Sequence, residues 1–163
     1  MLGMVLVLCD ASYSVAACTS FGTPMKLPIN LVVIDQFRAP SCKWCSGNRG
    51  IEYRTEPGSV VTAVAGGVAT FVGSVAGTNY VVIKTNGELK TSDNLLVTHG
   101  RLRSVSVKSG ALIAAGQTIG TGGEFLYIGV RYIGLRVNGQ YTDPQQCSSL
   151  GSTGKPRAVL VAG

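Results

Sequence analysis

The sequence predicts an all-β fold, an antiparallel sheet or sandwich built as one domain. Three observations carry that expectation. Short β-branched runs recur along the chain between Gly, Asn and Ser turn residues. No segment keeps a 3.6-residue apolar period for more than two turns. Glycine supplies 22 of 163 residues, charged residues only 13%, and the mean hydropathy is +0.30, a balance that suits tight turns around a buried core rather than disorder.

In chain order, "LVVIDQF" from Leu31 to Phe37 reads as a strand, and "APSCKWCSGNRG" after it as a loop rich in Pro, Ser, Gly and Cys. "GSVVTAV" and "VATFVG" follow, separated by Gly66-Gly67, and "NYVVIK" runs into an Asn86-Gly87 turn. "SVSVKSG", "ALIAAGQTIG" and "FLYIGVRY" complete the series. Such ladders joined by Gly turns predict antiparallel pairing.

Both ends read differently from the middle. Residues 1–17 carry a short apolar core followed by small residues, the pattern of an export signal, although no Lys or Arg precedes the core. A buried strand is the alternative for that segment. It is too short for a transmembrane helix, so no membrane anchor is expected in the mature form. Residues 18–147 form the expected domain, and residues 148–163, rich in Gly and Ser, read as a flexible tail.

Cysteine usage supports export. Cleavage near Ala16 or Ala17 removes Cys9 and leaves four cysteines, which pair most simply as Cys42 with Cys45 and Cys18 with Cys147. The second bridge closes a long loop, worth about 4 to 5 kcal/mol in the chain-entropy treatment. The competing reading makes "VAAC" a lipidation box on Cys18 and leaves Cys147 without a partner. "CKWC" lacks the βαβ context of a redox pair and the second Cys-x-x-Cys of a zinc ribbon, so a local structural disulfide is expected.

The net charge of +6 and pI near 9.2 suit an anionic neighbourhood. The basic residues are scattered and no aromatic pattern accompanies them, which argues against nucleic acid as the partner.

The segment "VSVKSGALIAAGQTIGTGG" resembles the hammerhead, or hybrid, motif of biotinyl and lipoyl domains, phosphotransfer sugar-carrier domains and a group of wall peptidases. A carrier domain requires a modified lysine at a hairpin tip, and the phosphotransfer reading requires histidines in the active centre. The chain has one histidine and no such hairpin. Over about residues 28 to 144 it resembles the lysostaphin and LytM-like zinc endopeptidases of bacterial cell walls, metallopeptidase family twenty-three. That family has a His-x-Gly-x-Asp, a Tyr-x-His-Leu and a His-Leu-His in this order, and the order is legible here in "NRGIE", "HGRL" and "FLYIGV".

The resemblance implies an all-β lysostaphin-like core with the hammerhead motif. Residues i and i+2 of a strand share a face, so a His-x-His sends a ligand and a general base into one cleft. Zinc on three such ligands lowers the pKa of its water to about 7 and generates the hydroxide that attacks a peptide bond. Carried over residue by residue, the zinc-ligand positions are Asn48, Glu52 and Tyr127, and the catalytic-histidine positions are Arg101 and Phe125. His99 falls at the family's tyrosine, near the degenerate site. An amide and a neutral phenol are poor zinc ligands, so no zinc is expected unless the family chemistry survives in a rearranged site that recruits His99 or the cysteines. Phe125 and Tyr127 read either as packing in the vacated cleft or as a stacking floor, and Glu52 and Arg101 as an ion pair in which the guanidinium stands in for the lost cation.

The expectation is therefore a secreted, catalytically inactive peptidase-like domain of the cell envelope that binds peptidoglycan, an anionic wall polymer or a wall hydrolase. An active zinc endopeptidase cleaving peptide crossbridges, and a purely structural envelope domain, are the alternatives.

Overall fold

The computed structural model describes residues 25–85, 94–133 and 139–148. In those residues the chain forms nine strands: β1 Val33–Asp35, β2 Gly50–Arg54, β3 Val60–Thr62, β4 Gly67–Val75, β5 Thr78–Thr85, β6 Asn94–Val105, β7 Leu112–Ile113, β8 Thr118–Ile133 and β9 Tyr141–Thr142. A short 3-10 helix, Pro144–Cys147, follows, capped by the Asp143 carboxylate. The all-β expectation holds, and every strand pairing is antiparallel.

All nine strands belong to one sheet, in the order β1-β2-β8-β6-β5-β4-β7. Its axis is β8, 16 residues long. One edge of β8 pairs with β6 from Val105 to Asn94, while the other edge is taken in succession by β3, β2 and β9. The central strand thus has no exposed backbone along most of its length.

Strand alternation divides the sheet into two faces. Ile51 and Tyr53 of β2, Val81 and Ile83 of β5, Leu95 and Val97 of β6, and Leu126, Ile128 and Val130 of β8 are buried together on one face. The intervening residues, among them Glu52, Tyr80, Phe125, Tyr127 and Arg131, lie on the other face, which is only partly covered.

Several expectations need correction. "SVSVKSG" is not a strand of its own, since only its first two residues belong to β6 and the remainder leads to the Ser109–Gly110 turn. "ALIAAGQTIG" splits into β7 and the start of β8 around a turn in which Gln117 Oε1 accepts from the Ala114 N–H. "FLYIGVRY" is the second half of β8, because the glycines ahead of it lie inside the strand. A Cβ at Gly120 would stand 2.1 Å from the Ser104 carbonyl oxygen, so the close approach of β6 requires glycine there. The runs on either side of Gly66-Gly67 do not form a hairpin: β3 pairs with β8, and β4 pairs with β5 and β7. The predicted loop ends one residue early, since Gly50 opens β2.

The Cys42–Cys45 disulfide is present. Cys147 is also disulfide-bonded, and Cys18 lies outside the described residues, as do the expected export signal and the Asn86-Gly87 turn. Ser148, assigned to the tail in the sequence reading, is buried and forms a parallel bridge with Met25. Residues 149–163 lie outside the described residues.

Candidate functional site

The partly covered face brings the sequence-predicted positions together on three neighbouring strands. Glu52 of β2 pairs in register with Tyr127 of β8, and Tyr127 with Gly100 of β6. Arg101 follows at a bulge between Gly100 and Leu102 and has a left-handed backbone, φ +62°. That conformation is uncommon for a residue with a Cβ and costs roughly 1 to 2 kcal/mol. It accompanies a reach across β8: Arg101 Nη2 stands 2.8 Å from Glu52 Oε1. The carboxylate is mostly enclosed and the guanidinium about half exposed, so the pair contributes about 1 kcal/mol at most.

Tyr127 lies flat on the sheet because the strands beneath it lack side chains. A Cβ on Gly50 would stand 2.6 Å from its ring, one on Gly100 3.3 Å from it, and one on Gly129 2.7 Å from its hydroxyl. Glycines on β2, β6 and β8 therefore make room for this ring, and Gly100 also makes room for Tyr80, from whose ring a Cβ there would stand 2.7 Å. Burial pushes the Tyr127 phenol well above the usual tyrosine range, and the neighbouring Tyr141, Tyr80 and Glu52 add to the shift against an opposing effect from Arg49. The phenol stays neutral at any physiological pH. Phe125, two residues earlier on the same face, pairs with Arg54, whose guanidinium carbon is 6.0 Å from the ring centre.

Asn48, just before β2, is buried and fully engaged by the backbone. Its Nδ2 donates to the Gln36 carbonyl at 3.1 Å, its Oδ1 accepts from the Gly50 N–H at 3.2 Å, and its main chain pairs with Arg38. These bonds fasten the segment after β1 to the start of β2.

His99 does not belong to this cluster, contrary to the expectation that it stands near the site. On β6 it occupies the core side, pairs in register with Ile128 and is completely buried. Its Nε2 accepts from the Val64 N–H at 3.1 Å, so the neutral ring carries its proton on Nδ1. Burial pulls its pKa down to about 4, against an upward push from the Val81 backbone. Alternation within β6 puts Gly100 on the cleft and His99 behind the sheet. The same reasoning removes His99 from any rearranged metal site on the cleft face.

Around Tyr127 the structure adds residues the sequence reading passed over. Arg49 donates through Nη2 to the Lys43 carbonyl at 2.8 Å and lies 5.7 Å from the Tyr141 ring centre. Lys43 stands 4.8 Å from the centre of the Trp44 ring, and Trp44 is 85% exposed. Their only sequence signal was the Cys-x-x-Cys that encloses Lys43 and Trp44, read there as a disulfide alone.

Residues 46–144, which enclose every one of the cleft positions, match the profile of Peptidase family M23. The chain belongs to this family. An uncharacterised protein of Mycobacterium tuberculosis is 32% identical over 102 residues, 60% of this chain and 40% of the relative. Another, of Haemophilus influenzae, is 32% identical over 122 residues, 69% of this chain and 28% of the relative. The chain spans less than half the length of these curated relatives. Among solved structures, lysostaphin is similar with a TM-score of 0.60 at 21% identity, covering 79% of this chain and 54% of lysostaphin. The catalytic domain of the prophage-encoded M23 protein EnpA from Enterococcus faecalis has a TM-score of 0.57 at 21% identity, covering 75% of this chain and 95% of that domain. A chain of the SpoIIIAH and SpoIIQ complex has 0.56 at 18%, covering 76% and 96%. At these identities the structural likeness establishes the fold.

The residues that the sequence resemblance sets at the metal positions, Asn48, Glu52 and Tyr127, do not fit zinc. Asn48 has both polar side-chain atoms engaged by the backbone, the Tyr127 phenol is held neutral, and Glu52 faces a guanidinium. Zinc takes imidazole, thiolate or carboxylate, and among the described residues no three His, Cys, Asp or Glu side chains stand close enough to hold a metal.

Proposed function

We propose that this M23 domain does no peptide hydrolysis and acts by binding in the cell envelope, where its target is peptidoglycan or a wall hydrolase. The Arg101–Glu52 ion pair carries the reading. It sets a guanidinium against Glu52, which the resemblance puts among the metal ligands, close to a Tyr127 whose phenol stays neutral. A guanidinium cannot ionise a water for attack as zinc does. The face can still bind, since its aromatic floor and basic rim remain partly open. The net charge of +6 favours an acidic wall polymer or stem peptide.

Export by residues 1–17 is part of the same proposal, and the cysteine usage supports it. Among the described residues no helix is long and apolar enough to cross a membrane. The fold's appearance in the SpoIIIAH and SpoIIQ complex supports a protein partner as the second form of the same reading.

Cosedimentation of the purified full chain with isolated cell walls at low salt tests the proposal, with amine release from the same walls followed in parallel. Retention without release is expected. Release of new amino groups that a chelator abolishes contradicts the inactive reading. Absence of retention, together with no binding to a cognate wall hydrolase, contradicts the binding role.

A further inference from the structure

Beside Tyr127 lies a cavity of about 930 Å³, lined by the Cys42–Cys45 loop on one side and by Arg49, Arg131, Gln140 and Tyr141 on the other. Its polar lining is of one sign. Lys43, Arg49 and Arg131 line it and no carboxylate does. Arg49 is occupied in construction: it donates to the Lys43 and Cys45 carbonyls and lies against Tyr141, fixing the loop to β9. Arg131 is different. Its Nε is closed off from solvent with no hydrogen-bond partner among the described residues, an unmet donor on a side chain that lines the cavity. Two aromatic rings line it as well: Tyr141 on the strand next to Arg131, and Trp44 across from them in the loop that the disulfide holds.

We propose that this cavity recognises the free carboxylate of a short peptide, with Arg131 and Lys43 meeting the charge and Trp44 and Tyr141 covering the neighbouring apolar atoms. The proposal rests on the binding reading above and names its ligand chemistry. A planar guanidinium fork matches a carboxylate in two parallel hydrogen bonds. The cavity is far larger than an ion, so the anion arrives on an organic body. Gln140 offers a donor and an acceptor together, as a peptide unit requires. Tyr141 and Arg49 also act electrostatically on Tyr127, which sets the cavity near the cleft floor.

Trp44 is the one tryptophan of the chain and reports on the cavity directly. Its fluorescence is followed while the full-length oxidised protein is titrated with tri-alanine bearing a free C-terminus, with its C-terminal amide, and with a polyol phosphate. A saturable change with the acid, at least about tenfold weaker with the amide, is expected. Arg131→Gln should weaken acid binding by about tenfold or more. Should that variant fail to fold, Lys43→Gln, at an exposed loop position, is expected to weaken it by about threefold with a reduced salt dependence. Equal responses to acid and amide, no response at all, or tighter binding of the polyol phosphate each overturn the proposal. Wall retention without a peptide response removes this inference and leaves the binding role standing, whereas a peptide response with neither wall retention nor hydrolase binding removes the envelope role and leaves the cavity's recognition standing.

Discussion

At residue scale, the side chains at the site positions assigned from sequence have structural partners of their own. Tyr127→Ala removes a ring seated on three glycines and should cost about 2 to 4 kcal/mol, read from denaturant unfolding. Glu52 and Arg101 form a lesser contact. A double-mutant cycle with Glu52→Gln and Arg101→Met should give a coupling of about 0.5 to 1 kcal/mol that shrinks with added salt. A coupling indistinguishable from zero at low salt means that the pair does not form in solution. That Glu52, Arg101, Phe125 and Tyr127 come together on neighbouring strands, with Asn48 just ahead of β2, was legible in the order and spacing of the motifs. The side of the sheet on which His99 falls was not legible. Counting residues places it beside the cleft, but strand phase decides the matter, and the phase was hidden by the bulge at Arg101.

At the scale of elements, β6 was the largest omission from the sequence reading. Its core positions Leu95, Val97 and His99 include a polar residue, and Gly100 and Arg101 then shift the alternation before Leu102 returns to the core. A strand whose period breaks halfway does not register as one. β8 was divided for the related reason that its internal glycines imitate turns. The glycine seat makes a test at this scale. Gly129→Ala meets the Tyr127 side chain, whereas Gly50→Ala meets the Ile128 carbonyl at 2.3 Å as well as the ring. Adding Tyr127→Ala should therefore relieve much of the cost of Gly129→Ala, with a coupling above about 1 kcal/mol, and should rescue Gly50→Ala far less. Equal rescue of both indicates that the ring does not occupy the seat.

For the whole molecule, the placement of His99 behind the sheet makes stability sensitive to acid. The folded state holds this histidine neutral down to about pH 4, while the unfolded chain protonates it near 6.5. Its contribution is therefore complete above about pH 6.5 and is lost progressively as pH falls toward 4, on the order of 3 kcal/mol in all. His99→Gln keeps an acceptor for the Val64 N–H, and the difference between the two pH profiles should contain that loss. Identical slopes contradict the burial of His99. The central claim concerns the face opposite that histidine, where an M23 fold keeps its cleft without a workable set of zinc donors. Elemental analysis of the purified full-length chain, after incubation with excess zinc and removal of free metal, tests it most directly. The account predicts well under one tenth of a zinc per chain, unchanged by Glu52→Gln. One zinc per chain, lost in Glu52→Gln, contradicts it.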